Sequence, residues 1–285
     1  MKVLVTGSSG LLGAEVLNCL LTRGWIGAAL NRTAFLKASK SERLLMLNGF
    51  DVIIHAAANT NVDLCELEPE NCYFDNCFLT EQLHKAAKLL GLRFVFISST
   101  GVYGRWKNGA YHEYDFVLPT TIHHSSKYVS EKLVLSCPED LVIRTGWLFG
   151  KGGKKNFVAN RLNEIRQANE VIYANTEQFG SPTYTLDCTL ALLDLIADNC
   201  VGVYNVVNAG VASRFDYVKE IVSLSGASVR VLPMDAKGFS RHADVSENEA
   251  ALSYRMKFEG RQQLRTWQGA LEDYMRDSGL LGCLS

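Results

Sequence analysis

Gly7-Ser8-Ser9-Gly10-Leu11-Leu12-Gly13 has a spacing that can hold a pyrophosphate. It follows a short apolar run, Lys2 to Val5, and opens an amphipathic one, Leu11 to Thr22. In that context Gly7 permits a tight turn, Gly10 lets the backbone approach the phosphates, and Gly13 lets a helix pack closely on a sheet. The helix N-terminus then offers free N–H groups and a partial positive charge, with Ser9, Leu11 and Leu12 on the rim. A second chemical stretch is Ser98-Ser99-Thr100-Gly101, after the apolar run Phe94 to Ile97. Hydroxyls at the carboxyl end of a parallel strand face the ligand crevice. A third is Thr121-Ile122-His123-His124-Ser125-Ser126-Lys127-Tyr128-Val129-Ser130-Glu131-Lys132. His123 and Lys127 are four apart and share a helix face. An imidazolium can donate a proton near its reference pKa of about 6.5, but a neighbouring lysine disfavours the charged form.

Alternating short β-branched runs and longer amphipathic segments must position these groups. Lys2 to Val5, Asp51 to His55, Phe94 to Ile97 and Leu141 to Arg144 read as buried strands, with Ala28 to Leu30 and Val203 to Val207 as further candidates. Helices are expected over Leu11 to Thr22, Asn71 to Leu90, Ser125 to Ser136, Phe157 to Ala168 and Thr185 to Ala197. The alternation predicts an α/β fold, a doubly wound parallel sheet of the Rossmann type with a smaller mixed α/β substrate lobe. Residues 1–150 with about 180–210 are expected to form the dinucleotide domain, and about 151–179 with 211–285 the second lobe.

Cofactor choice follows from an absence. NAD sites place an acidic residue about 20 residues beyond the turn, on the ribose 2′-hydroxyl. No acidic residue occurs between Glu15 and Glu42, and Asn31-Arg32 stand where the second strand should end. An arginine there can pair with a 2′-phosphate, so NADP(H) is expected over NAD(H). Ala56-Ala57-Ala58, after His55, are small enough for a cofactor ribose to lie against the backbone. His55 itself, inside an apolar strand, reads as a satisfied core histidine.

The chain has 285 residues, a net charge of −1 and 47% apolar residues. One sizeable core can be buried, and no nucleic-acid surface is implied. Eight scattered cysteines without a Cys-x-x-Cys pair read as reduced thiols, and no metal site is expected from their spacing. Without a signal sequence or membrane-length apolar run, a cytoplasmic protein with no membrane partner is expected; a homodimer is compatible with it.

The glycine turn, His55-Ala56-Ala57-Ala58 and Ser98-Ser99-Thr100-Gly101-Val102-Tyr103-Gly104 together resemble extended short-chain dehydrogenases. Within that group the chain is similar to the dTDP-4-dehydrorhamnose reductase family. Asn59-Thr60-Asn61-Val62-Asp63, Ile143-Arg144-Thr145-Gly146-Trp147-Leu148-Phe149-Gly150, Gln178-Phe179-Gly180-Ser181-Pro182-Thr183 and Trp267-Gln268-Gly269-Ala270-Leu271 carry the resemblance through the chain. The resemblance implies hydride transfer from NADPH to C4 of a nucleotide-linked 4-keto sugar. Ser99 would bind the carbonyl oxygen, a tyrosine would donate the proton, and Lys127 would hold the nicotinamide ribose. Thr100, Trp147, Asn156 and Phe157 would lie on the substrate side. Lys151, Lys154, Lys155, Arg161 and Arg144 are candidate diphosphate partners, and Arg241 lies where a substrate-side arginine is expected.

At the tyrosine's position stands His123. The literal Tyr128/Lys132 pair lies about 140° around the helix from His123, so both registers cannot face one nicotinamide. His124 is expected to face solvent. Three functions stay open: a reductase using His123 or a relocated acid, an NADP- and nucleotide-sugar-binding protein with little turnover, and an epimerase or dehydratase.

Overall fold

A computed structural model describes residues 1–152, 156–168, 170–235, 238 and 241–284. Six strands form the central sheet: β1 (Lys2–Thr6), β2 (Ile26–Ala29), β3 (Val52–His55), β4 (Arg93–Ser99), β5 (Leu141–Thr145) and β10 (Gly202–Asn205). Their order is β10-β5-β4-β3-β1-β2, and every pairing is parallel. Strands buried on both faces must be apolar throughout, which is why Val52–Ile54 and Phe94–Ile97 read as unbroken runs. One face packs on α1 (Leu11–Thr22) and α9 (Thr185–Ala197) through Val16, Leu20, Leu192 and Ile196. The other packs on α6 (Leu79–Leu89) and α7 (Ile122–Val134) through Leu79, Leu83 and Val134. The chain reverses direction across the sheet between β1 and β3, and a crevice opens beyond their carboxyl ends.

Several elements exceed the sequence expectation. The short stretch after β2 holds two helices, α2 (Arg32–Lys37), capped by Asn31, and α3 (Lys40–Leu47), with a Ser39/Glu42 capping box. After β3 come α4 (Val62–Leu67) and α5 (Pro69–Tyr73), and the expected helix over Asn71 to Leu90 is interrupted by a π turn at Phe74–Phe78. α7 starts at Ile122, earlier than Ser125, because the Thr121 side chain accepts from His124 N. A separate core gathers Phe149, Tyr184, Tyr217, Trp267 and Tyr274. It lies among α8 (Phe157–Gln167), α10 (Arg214–Ser225) and α12 (Trp267–Asp277), with β7 (Val171–Asn175) paired in parallel to β12 (Arg230–Met234). Two-residue pairs tie this lobe down: β6 (Leu148–Phe149) with β9 (Thr183–Tyr184), and β8 (Phe179–Gly180) with β11 (Ala212–Ser213). α11 (Tyr254–Phe258) packs beside β10.

One buried carboxylate locks two sheet strands to a helix. Asp140 accepts from His84 Nε2 at 2.8 Å, Lys88 Nζ at 2.5 Å and Phe94 N at 2.9 Å. Burial alone would raise its pKa, but these three donors outweigh that and hold it below the usual carboxylate value. A depressed carboxylate contributes stability above its unfolded pKa of about 3.9 and loses it as pH falls through the folded value. Asp140→Asn is expected to cost about 3 kcal/mol at pH 7, as breaking a buried ion pair does. In urea titrations the gap to wild type should narrow below about pH 4; a gap independent of pH would contradict this account.

Candidate active site

The glycine turn closes tightly. Gly7 has φ +70°, and a Cβ there would lie 2.6 Å from Ala57 N. A Cβ on Gly13 would lie 2.3 Å from Gly7 O. The turn, the end of β3 and the first turn of α1 thus meet backbone to backbone, leaving no room for side chains. Gly10 is the N-cap of α1 and supplies no side-chain cap, and the first turn carries no acidic residue. The N–H groups of that turn are therefore available to an anion. Ser9 and Gly10 are exposed and Leu11 half-buried, whereas Leu12 points into the core and can offer only its backbone. Ala56, Ala57 and Ala58 line the opposite rim, half-buried. These residues fit a dinucleotide's pyrophosphate.

His55 is fully buried between Thr6 Oγ1 (2.6 Å) and Thr80 Oγ1 (3.0 Å). Burial, aided by Lys127, pulls it down to about 3, so it is neutral and structural, as expected. Arg32 pairs with Asp75, and the Asn31 side chain accepts from Ala34 N at 2.9 Å. Asn31 is thus a helix cap, and Arg32 is the residue of the two whose charge stands at the end of β2.

The π turn has a positioning role that sequence reasoning missed. It directs the buried Asn76 side chain to accept from Asn59 N at 2.7 Å and to donate to Ser126 Oγ at 2.9 Å. Its carbonyl accepts from Ser130 Oγ at 3.0 Å and from Thr80 Oγ1. The loop after β3 is thereby fastened to α7. On α7, Lys127 is buried, its Nζ 4.0 Å from the centroid of Phe96. Burial lowers it to about 8, with Glu131 opposing. Glu131 itself takes Arg144 in a buried two-point pair, Nε at 3.0 Å and Nη2 at 2.6 Å. Arg144 is therefore a structural partner of α7 and not a free phosphate ligand, a correction to the expectation drawn from its place at a strand end.

Ser99 caps a 3₁₀ turn over Thr100–Tyr103, accepting from Gly101 N at 3.2 Å. Thr100 is buried against Gly146. His123 and His124 are both buried, with ring centroids 4.9 Å apart. They point to different neighbours. His123 lies beside Cys65 and Cys72. His124 packs on Gly101, accepts or donates through Nδ1 to Thr121 Oγ1 at 3.0 Å, and holds Nε2 3.9 Å from Glu249 Oε1. The expectation that His124 faces solvent is overturned, because the loop carrying Glu249 covers it. Burial and then Lys127 lower His124 to about 4, keeping it neutral. Tyr128 packs on Val102, Tyr103 and Tyr111, with Lys132 Nζ 4.4 Å from its ring, away from this group.

Trp147 sits at φ +47°, a strained backbone for a bulky residue. Its ring lies on Gly180, where a Cβ would clash at 2.2 Å, and its Nε1 donates to Glu249 Oε2 at 2.9 Å. The guanidinium of Arg214 stacks 3.4 Å from the Trp147 centroid and 4.8 Å from that of Phe157. Phe157, Arg161, Gln178, Arg214 and Arg241 line a cavity of ≈ 450 Å³. Asn156, expected at the substrate, instead caps α8 and donates to Gly150 O (2.6 Å) and Tyr274 OH (2.9 Å). Lys154 and Lys155 lie outside the described residues. Arg214 and Glu249 were missed in the sequence. The Ser213/Asp216 capping box marks where the Arg214 helix begins but not what it faces.

The RmlD substrate binding domain family matches residues 1–279. The chain belongs to this family. A dTDP-4-dehydrorhamnose reductase of Mycolicibacterium smegmatis is 31% identical over 95% of this chain and 84% of its own length. A spore coat polysaccharide biosynthesis protein, SpsK, of Bacillus subtilis is 29% identical over 97% of each chain. A crystal structure of a Bacillus anthracis dTDP-4-dehydrorhamnose reductase in complex with NADP superposes with a TM-score of 0.91, at 28% identity, covering 97% of this chain and 99% of that one. The Rossmann-type sheet and the resemblance drawn from the motifs are both shown by these matches. Among the described residues of this RmlD-family member, no helix is long and apolar enough to cross a membrane.

Proposed function

We propose that the protein binds NADP(H) and a nucleotide sugar on either side of the Ser99 turn, and reduces the 4-keto group of a nucleotide-linked deoxysugar. The observations that carry this reading are the Gly7 turn closed backbone to backbone on Ala57, and a cavity lined by Arg161, Arg214 and Arg241, whose Arg214 guanidinium stacks on Trp147. When bound, the cofactor supplies the hydride. In this reading Ser99 holds the carbonyl oxygen, Lys127 holds the ribose and His123 is the proton donor. Trp147 and Phe157 flank the sugar nucleotide, and Thr100 supports the turn from below. Arg32 takes the 2′-phosphate, exchanging Asp75 for a more highly charged partner. A specific observation favours slow turnover: a buried histidine, beside Cys65 and Cys72, stands where the family's proton-donating tyrosine is expected.

NADPH oxidation should be followed with a panel of 4-keto nucleotide sugars, alongside titration of each cofactor. Saturable NADPH binding with substrate-dependent oxidation is expected. Arg32→Ala should weaken NADPH by about tenfold, one charge-assisted contact, and leave NADH nearly unchanged. Tighter NADH than NADPH binding by wild type would refute the 2′-phosphate assignment. Tight binding of both ligands with no oxidation would leave a binding protein.

A further inference from the structure

Beneath the crevice the fold assembles a second set of reactive side chains that no spacing in the sequence foretells. Cys65 on α4, Cys72 on α5 and His123 on α7 are all buried, and their sulfur and imidazole nitrogen atoms lie within 4.8 Å of one another. We propose that Cys65, Cys72 and His123 form a binding site for a thiophilic divalent cation, zinc above all. Two thiolates and an imidazole are donors that zinc favours. Tetrahedral bonds of about 2.3 Å to sulfur and 2.0 Å to nitrogen set ligand atoms roughly 3.5–3.8 Å apart. The observed group needs to close by about 1 Å, within reach of side-chain rotation.

The surroundings are those of a supported metal site. Asn76 Nδ2 donates to Cys72 Sγ at 3.4 Å, and Ser126 Oγ lies 3.6 Å from the same sulfur. An N–H donor to a thiolate, here from Asn76, fixes its direction and lowers its basicity. These supports are themselves held, Asn76 by Asn59 and Ser126 by the His123 carbonyl at 2.7 Å. Charge also balances: a dication displaces two thiol protons to solvent and leaves a neutral buried group, which costs little to desolvate. Three protein ligands leave a fourth position for water. The site depends on neither cofactor nor sugar. On the reductase reading it has a consequence, because a His123 nitrogen bound to metal can no longer carry the proton delivered to substrate.

The test uses the full chain, reduced, stripped with a chelator and reloaded with zinc or cobalt(II) alone. About one equivalent should remain after desalting, and cobalt(II) should give tetrahedral d–d bands with thiolate charge transfer. Cys65→Ser and Cys72→Ser should each weaken binding about a hundredfold, while Cys283→Ser, at the exposed C-terminal end, should not. Should those variants fail to fold, zinc-edge X-ray absorption on wild type decides, with two sulfur and at least one imidazole scatterer expected. Substoichiometric metal in reduced wild type would overturn the proposal. So would an unchanged cobalt spectrum in Cys65→Ser/Cys72→Ser, or a count of six free thiols in place of the eight in the sequence, which would mark a disulfide instead.

Discussion

Arg214→Met should raise the KM for the nucleotide sugar about a hundredfold and leave the Kd for NADPH unchanged. Arg214 is a half-buried cation at the cavity wall that makes no ion pair among the described residues. Its Nε donates to Gln178 Oε1 at 3.2 Å, and its guanidinium lies 3.4 Å from the Trp147 ring centroid and 4.8 Å from that of Phe157. Burial lowers it to about 10, with Arg241 and Arg161 adding to the effect and Glu249 opposing, so it stays charged at neutral pH. A charge held this way is stabilised by ring faces and completed by an anion. Losing a charge-assisted contact to phosphate costs about 3 kcal/mol, two decades of affinity. Methionine fills much of the same space without the charge. Removing a half-buried charge that forms no ion pair should therefore leave the free protein's melting temperature near wild type. These opposite signs, weaker substrate binding without weaker folding, are the diagnostic result. A sharply lower melting temperature with unchanged KM would make Arg214 a structural residue. Arg214→Lys should not restore affinity, because an ammonium lacks the planar face that stacks on Trp147.

The contrast between Arg214 and the glycine turn shows how far a site can be read from sequence. The turn is local: Gly7, Gly10 and Gly13 lie within seven residues, and their spacing already encodes the close approach seen at Ala57. The buried strands were legible for a similar reason, since a strand covered on both faces must be apolar without interruption. Arg214 and Glu249 meet Trp147 only through the tertiary fold, and no local pattern announces them. Arg144 misled because a strand-end arginine suits a phosphate as well as a buried carboxylate; Glu131, one helix away, decided the matter. His124 misled because a helix periodicity says which side a residue takes, not which loop will cover it. The interrupted helix at Phe74–Phe78 has a helical composition, so only the folded structure reveals the π turn that brings Asn76 to α7.

His123→Tyr is expected to raise kcat about a hundredfold with the KM for sugar nucleotide little changed, measured by NADPH oxidation in the presence of chelator. At this position a phenol shares its helix face with Lys127, four residues on. The lysine is buried and lowered to about 8 by that burial, with Glu131 holding it up, so at neutral pH it remains largely an ammonium. A cation beside a phenol stabilises the phenolate that forms when the proton leaves. Beside an imidazole the same cation works the other way, opposing the imidazolium that would be the effective donor. A well-placed general acid contributes about 10²–10⁴ in rate, and the lower bound is the sensible expectation for a substituted site. His123→Gln, which cannot donate as an acid, should fall below wild type if His123 carries the proton, and should equal it if wild type turns over without that residue. Chelation matters because tyrosine also removes one of the three proposed metal donors, and a gain from metal loss alone would appear in chelated wild type too. Should His123→Tyr stay as slow as wild type while His124→Gln abolishes the residual rate, the proton comes from the Glu249 side of the crevice, where His124 lies 3.9 Å from that carboxylate.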